Sequence, residues 1–529
     1  MRLFSRPATL LALLALAAVA GGCGSSGDTG SSLWPFGGEE FSLEDVTFAE
    51  SRSAKAAEPA NVPENRDKAS TNDDERPNIV LVSVDDLDLQ TSRSLPQLRK
   101  VMADEGVSFE NAFVSNSICC PSRATTLRGQ YAHNTGVQGN RPPQGGYEKF
   151  HRLGRERSTL ATWLDEAGYN TAYMGKYMNG YHGTNVPPGW DEWLAVSGDY
   201  RSDALTYNGR LLPKALQGRH ETDVLSGKSG LYIERAAKSE SPFFLYLAPR
   251  APHQPAKPAP RHRELYSGQE APARPSDDPA YNEADVSDKP LWLAQRRPLT
   301  QQQKLRMDEL HRDRLRSMAS VEEMMAGLEH KLRKTGELDN TYIVFTSDNG
   351  HHMGQHRLPT GKWTAYEEDI RVPLMIRGPG IPEGQSREHM VLNNDLAPTF
   401  ADLGRARTPR FVDGRSIAPL LRRDHPPTQQ WREDFLVEAA AFMPGTGAGI
   451  PIGRPSFEAV RSEDHLYVEY ASGARELYDL RADPHQLENL LSPGEPAAAP
   501  EVFGRLEERL DELRNCSGTD CRRAEDGRV

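Results

Sequence analysis

Dense apolar runs alternate with polar stretches along this chain, and the apolar positions follow two different periods. After Pro77, residues 78–84 (NIVLVSV) form a continuous apolar run, the mark of a strand buried on both faces. Similar runs recur at 169–174 (YNTAYM), 242–247 (PFFLYL) and 341–347 (TYIVFTS). Between them the spacing lengthens to that of helices. Helices are predicted over 95–105 and 159–167, stopped by Gly106 and Gly168. Met318, Val321, Met325, Leu328 and Leu332 recur at 3,4,3,4 spacing before Gly336, a helix whose methionines read as core packing. Strands alternating with helices predict an α/β fold, a large and mostly parallel sheet sandwiched by helices. Residues 254–298, Pro-rich and charged, read as a long surface insertion. After about residue 430 the pattern changes. Short strands are predicted at 457–461, 465–470 and 476–480, with Ala471-Ser472-Gly473 as a turn and a helix over 500–514. That is a small C-terminal subdomain with an antiparallel sheet.

The N-terminal pattern differs from all of this. Arg2 and Arg6 precede an apolar run over 8–20, too short for a comfortable membrane span. Ala20-Gly21-Gly22-Cys23 follows, similar to a bacterial lipobox whose cysteine carries lipid; an ordinary secretory signal is the alternative. The expected division is a signal peptide over 1–22, a lipid-anchored flexible linker over 23–76, a catalytic domain over 77–430 and the subdomain over 431–529. Either signal takes the protein out of the cytoplasm, and outside it thiols tend to pair. Cys516 and Cys521, five apart, are the expected disulfide. Cys119 and Cys120 are adjacent and have no such explanation. The formal net charge of −12 over 529 residues argues against a general nucleic-acid binder and leaves room for a local basic pocket.

Open α/β sheets gather ligands at the carboxyl ends of their strands. There the run 78–84 leads into Asp85 and Asp86, and the run 341–347 into Asp348 and Asn349. Such residues often serve as turns and caps. Two clusters at equivalent strand ends instead suit a hard cation such as Ca²⁺ or Mg²⁺. Lys176 follows the run 169–174, His253 follows 242–247, and Lys362 lies shortly after the Asp-Asn pair. With a metal they would make a cationic pocket for a tetrahedral anion, His253 protonating a leaving group. His352 and His356 are four apart, a zinc spacing, but Gly354 disfavours a helix there, so loop packing or pocket lining is expected.

SICCPSRATTLRG, residues 117–129, resembles the sulfatase signature C-x-P-S-R-x-x-x-L-x-G, with Arg128 where threonine is often found. The two Asp clusters, GKY at 175–177, His253-Gln254-Pro255 and GK at 361–362 occur in that family's order, and ELYDLRADPHQLENL looks like its small domain. SVDDLD, DNGHHMGQHRLPTGK and YEEDIRVPLMIRGPG are similar to the N-acetylglucosamine-6-sulfatase-like branch. The resemblance implies an alkaline-phosphatase-like fold and hydrolysis of sulfate esters on a sugar or aryl group. It implies that a formylglycine-generating enzyme oxidises Cys119 to 3-oxoalanine (formylglycine), whose hydrate is the nucleophile. Cys119 would also ligate a metal, most simply Ca²⁺, with Asp85, Asp86, Asp348 and Asn349. Arg123 would hold the hydrate, Lys176 and Lys362 the sulfate oxygens, and His253 would assist the leaving group. Where many arylsulfatases carry histidine this chain has Met178; Asn179 and His133 are the candidates to replace it. Two other functions stay open: a phosphonate monoester or phosphodiester hydrolase of the same superfamily, and an inactive surface protein that binds sulfated glycans.

Overall fold

The computed structural model describes residues 76–268, 270–441, 453–491 and 499–527, all within one compact unit. The expected signal peptide and the expected linker up to residue 75, Cys23 included, lie outside the described residues. The four apolar runs form the centre of a ten-stranded sheet: β1 (Asn78–Val84), β2 (Asn170–Gly175), β3 (Phe243–Ala248) and β4 (Thr341–Ser347). Across the sheet the order is Gln385–Arg387, Val107–Phe109, Leu374–Arg377, β4, β1, β3, β2, Glu192–Ser197, Ala204–Tyr207, Arg210–Leu212. The middle strands, from β4 to Glu192–Ser197, are parallel, and antiparallel strands flank them. Ile79 to Val82 have no solvent exposure, as an unbroken apolar strand covered on both faces requires.

Helices cover the sheet. Leu160–Glu166 starts at a Thr159 capping box, and Glu221–Ala236 packs along Gln301–Thr335. The last of these begins 17 residues before the apolar repeat that predicted it, because its first half buries Met307, His311 and Arg314 in place of a regular apolar stripe. Residues 95–105 are helical as Pro96–Leu98 followed by a π-helical turn, Arg99–Ala103. The 254–298 insertion is more than surface: Ala259, Ala280, Val286, Trp292 and Leu293 are buried.

A separate four-stranded antiparallel sheet runs Asp434–Ala439, Phe457–Ser462, His465–Tyr470, Arg475–Asp479. The sequence pattern finds the last three strands and misses the first. Helix Pro500–Leu513 buries Leu506, Leu510 and Leu513 from one face. A disulfide between Cys516 and Cys521 then links the chain after this helix to the final helix, Thr519–Glu525. No helix among the described residues is long and apolar enough to cross a membrane.

Candidate active site

Register fixes the site. Val84 pairs with Ser347 across β1 and β4, so Asp85-Asp86 and Asp348-Asn349 leave the sheet at one level. Gly175 pairs with Ala248, which brings Lys176 and the 249–253 turn to the same edge. Gly175 has φ 124°, and a Cβ there would lie 2.1 Å from the Ala248 carbonyl oxygen, so the chain turns through a position that only glycine fits. Asp85 bridges to Pro252, drawing the His253 turn onto β1.

Cys119 opens helix α1 (Cys119–Arg128), whose ten residues are all buried. The positive dipole end of this first turn favours an anion, although Pro121 has no N–H and the Cys120 N–H donates to Asn140 Oδ1. Lys362 Nζ lies 2.7 Å from Cys119 Sγ and also contacts Asp86 Oδ1. Asp85 Oδ1 is 3.5 Å and Asp86 Oδ1 3.9 Å from the same sulfur. Lys176 Nζ donates to Asp85 Oδ2 at 2.7 Å. Arg123 Nε donates to Asp348 Oδ2 at 2.7 Å and Nη1 to the Lys176 carbonyl at 2.7 Å. Asn349 Nδ2 donates to Asp86 Oδ1 at 2.8 Å. His253 Nδ1 donates to the Gln254 carbonyl at 2.6 Å, which turns Nε2 toward Asp86 Oδ2 at 3.5 Å. Asp85, Asp86, Cys119, Arg123, Lys176, His253, Asp348, Asn349 and Lys362 therefore meet in one cluster, whereas Cys120 lies in the apolar core and Arg128 bonds Gln130 and the Arg155 and Ser158 carbonyls.

The electrostatics follow from burial and these neighbours. Burial pushes the Cys119 thiol up to about 12 against the pull of Lys176 and Lys362, and burial does the same to Cys120. Burial also opposes ionisation of Asp85 and Asp86, yet Lys176 for one and Lys362 for the other hold them well below the usual carboxylate range. His253 is shifted down by burial, against the nearby Asp86 and Asp85.

Asp85, Asp86, Cys119 and His253 each offer a ligand atom, and these atoms lie within 4.8 Å of one another. Asn349 Oδ1 is buried without a hydrogen-bond partner. Two carboxylates and an orphaned amide oxygen, with Asp348 beside them, are a donor set that fits a hard divalent cation. His253, expected only as a proton donor, also belongs to the tightest part of this group.

Other histidines separate. His351 Nδ1 is 3.6 Å from Asp86 Oδ2 and its Nε2 bonds Thr360. His352 bonds Asp369 and His356 bonds Glu283, so the pair does not converge as zinc ligands. Met178 is buried in the apolar core. His133 bonds Glu438 and the Cys516 carbonyl, away from the cluster. Sequence reading missed Tyr200. Its hydroxyl donates to Asp85 Oδ2 at 3.0 Å and accepts from Lys176, and its ring stacks on His253. It lies in a strand connection with no motif spacing to announce it.

The sulfatase family's sequence model matches residues 77–406, and that of the N-sulphoglucosamine sulphohydrolase C-terminal region matches 354–516. The chain belongs to the sulfatase family and is a sulfuric ester hydrolase. It is 36% identical to an arylsulfatase of Volvox carteri over 501 aligned residues, covering 84% of this chain and 76% of that protein. It is 33% identical to the N-acetylglucosamine-6-sulfatase of Homo sapiens, covering 84% and 86% respectively. Its fold is similar to that of a solved protein in complex with its substrate D-glucosamine-2-N,6-O-disulfate, with a TM-score of 0.67 at 23% identity, covering 86% of this chain and all of that one.

Proposed function

We propose that this sulfatase cleaves the sulfate ester of a sugar, with a 6-sulfated glucosamine unit as the substrate class, through a nucleophile made from Cys119. The observation that carries the proposal is the convergence on Cys119 Sγ: Lys362 at 2.7 Å and Asp85 at 3.5 Å, on the first turn of a buried helix. The substrate class is supported by the N-acetylglucosamine-6-sulfatase relative and by the fold shared with the protein that holds a disulfated glucosamine.

A formylglycine-generating enzyme is the maturation partner in this reading. Formylglycine, once hydrated, supplies two hydroxyls on one carbon, one to attack sulfur and one to release sulfate. Lys176 and Lys362 hold sulfate oxygens and offset the charge that grows on them as the S–O bond breaks. Arg123, fixed by Asp348 and the Lys176 carbonyl, aligns the first turn of α1 with both strand ends. In its imidazolium form, which burial opposes and Asp86 and Asp85 favour, His253 gives its Nε2 proton to the departing alkoxide oxygen and is left neutral. Asp85, Asp86, Asp348 and Asn349 would hold Ca²⁺ or Mg²⁺, whose charge would lower the pKa of a coordinated hydroxyl. The proposal includes export, with Cys23 as the lipid attachment point after the apolar run 8–20.

The test compares kcat/KM for a sulfate ester and a phosphate ester of the same alcohol. A higher value for the sulfate is expected. A clear phosphate preference would overturn the assignment in favour of a phosphohydrolase.

A further inference from the structure

Tyr200 sits in the connection between strands Glu192–Ser197 and Ala204–Tyr207. This connection is tied to the His253 turn by one arginine. Arg250 Nη1 donates to the Asp199 carbonyl at 3.0 Å and Nη2 to the Ser202 carbonyl at 3.3 Å, so it grips the backbone on both sides of Tyr200. Arg250 is itself anchored by Glu221, through its Nε and through its backbone N–H at 3.1 Å. It stands three residues before His253, so one side chain ties the tyrosine and histidine segments together.

Within that frame the Tyr200 and His253 rings lie face to face, with centroids 3.7 Å apart and planes 3° from parallel. The tyrosine hydroxyl donates to Asp85 Oδ2 at 3.0 Å, accepts from Lys176 Nζ, and stands 4.0 Å from Cys119 Sγ. The Lys176 ammonium is 4.8 Å from the ring centroid. One half-buried side chain thus touches the nucleophile position, a sulfate-binding lysine and the proton donor. The hydrogen bond from Nδ1 to Gln254 decides which nitrogen of His253 faces the cluster. That bond holds the ring at one edge, and the Tyr200 face, parallel and 3.7 Å away, backs its whole plane. A cavity of about 120 Å³ lies beside the two rings, bounded also by Asp203, His220, Arg250 and Lys257.

We propose that Tyr200 is a positioning residue for leaving-group protonation, holding the His253 imidazole in the plane from which Nε2 reaches the departing oxygen. This rests on the reading of His253 as the proton donor given above. The hydroxyl is secondary in this role and the aromatic face is primary.

The test uses two sulfate esters and four variants, with rates normalised to the fraction of Cys119 converted. 4-Nitrophenyl sulfate releases a stable anion and has little need of a proton; 6-sulfated glucosamine releases an alkoxide and has great need of one. His253→Ala should lose about 100-fold or more in kcat on the sugar and only a few-fold on the nitrophenyl ester. Tyr200→Leu should follow the same pattern at about tenfold on the sugar, while Tyr200→Phe, which keeps the stack, should stay within about threefold on both. The double variant Tyr200→Leu/His253→Ala should be no slower than His253→Ala alone, because the two residues act as one unit.

Equal losses of Tyr200→Leu on both esters, or a full additional loss in the double variant, would sink the inference. So would a Phe variant as poor on the sugar as the Leu variant. If His253→Ala itself shows no dependence on the leaving group, the acid role of His253 fails and the role of Tyr200 falls with it. Those outcomes are separable, because the first set leaves the His253→Ala pattern intact.

Discussion

Arg123 is 1% exposed, and its guanidinium joins two strand ends, to Asp348 just after β4 and to the Lys176 carbonyl after β2. A charge so deep is stable only with its partners in place. Arg123→Met leaves Asp348 buried without its closest cation and should cost about 3–5 kcal/mol, read as a lower urea midpoint. Arg123→Lys keeps the charge but loses the fork, and an intermediate loss is expected. The two cysteines beside it should behave differently. Cys119→Ala should abolish turnover with little change in thermal midpoint, since its thiol packs against charged groups. Cys120 belongs to the apolar core and its backbone N–H donates to Asn140. Cys120→Ala should keep much of the activity and cost on the order of 1 kcal/mol for the small cavity it leaves. Loss of activity in the second variant with the first unaffected would reverse the assignment.

The helix Ala132–Thr135 is joined to the small sheet through His133. Its Nδ1 donates to Glu438 on Asp434–Ala439, and its Nε2 to the Cys516 carbonyl. Burial alone would push this histidine down, but the Glu438 carboxylate outweighs it and lifts the imidazole to about 9. The folded state therefore holds the proton more tightly than the unfolded chain does. The stabilisation is complete below about pH 6.5 and fades as pH rises through about 9, with an upper limit of about 3 kcal/mol. Denaturant melts between pH 6 and 10 should show that decline, and Glu438→Gln should flatten it; an unchanged slope in the variant would remove His133 as the cause.

What could be read in advance at the scale of elements follows the same physics. Strands buried on both faces announce themselves as apolar runs, and all four central strands did so. The carboxyl-end rule then pointed to Asp85, Lys176, His253 and Asp348, because parallel strands in register end at one level. The first half of Gln301–Thr335 was silent, since it buries Arg314 against Asp88 and the Asp86 carbonyl, a pairing no local period reveals. Strand Asp434–Ala439 was silent because buried Asp434 and Glu438 leave it an apolar run of only three residues. Tyr200 was silent because a connection between antiparallel strands places it, and nothing in its neighbours encodes a stack on a residue 53 positions away.

At the scale of the molecule, the large sheet supplies carboxylates and cations from separate strands, and α1 brings Cys119 to them. The oxygen-rich cluster should make stability respond to metal. After dialysis against a chelator, added Ca²⁺ should raise the thermal midpoint, with about 2.7 kcal/mol gained at a hundred times the dissociation constant. Asp86→Asn should abolish the rise, and an equal rise in that variant would place the ion elsewhere. Everything proposed for the reaction depends on one side chain. Peptide mass spectrometry across residues 117–128, after expression in the native host, reads its chemical state directly. The account predicts the aldehyde at Cys119 and an unmodified thiol at Cys120; an unmodified Cys119 in folded, active enzyme would contradict it.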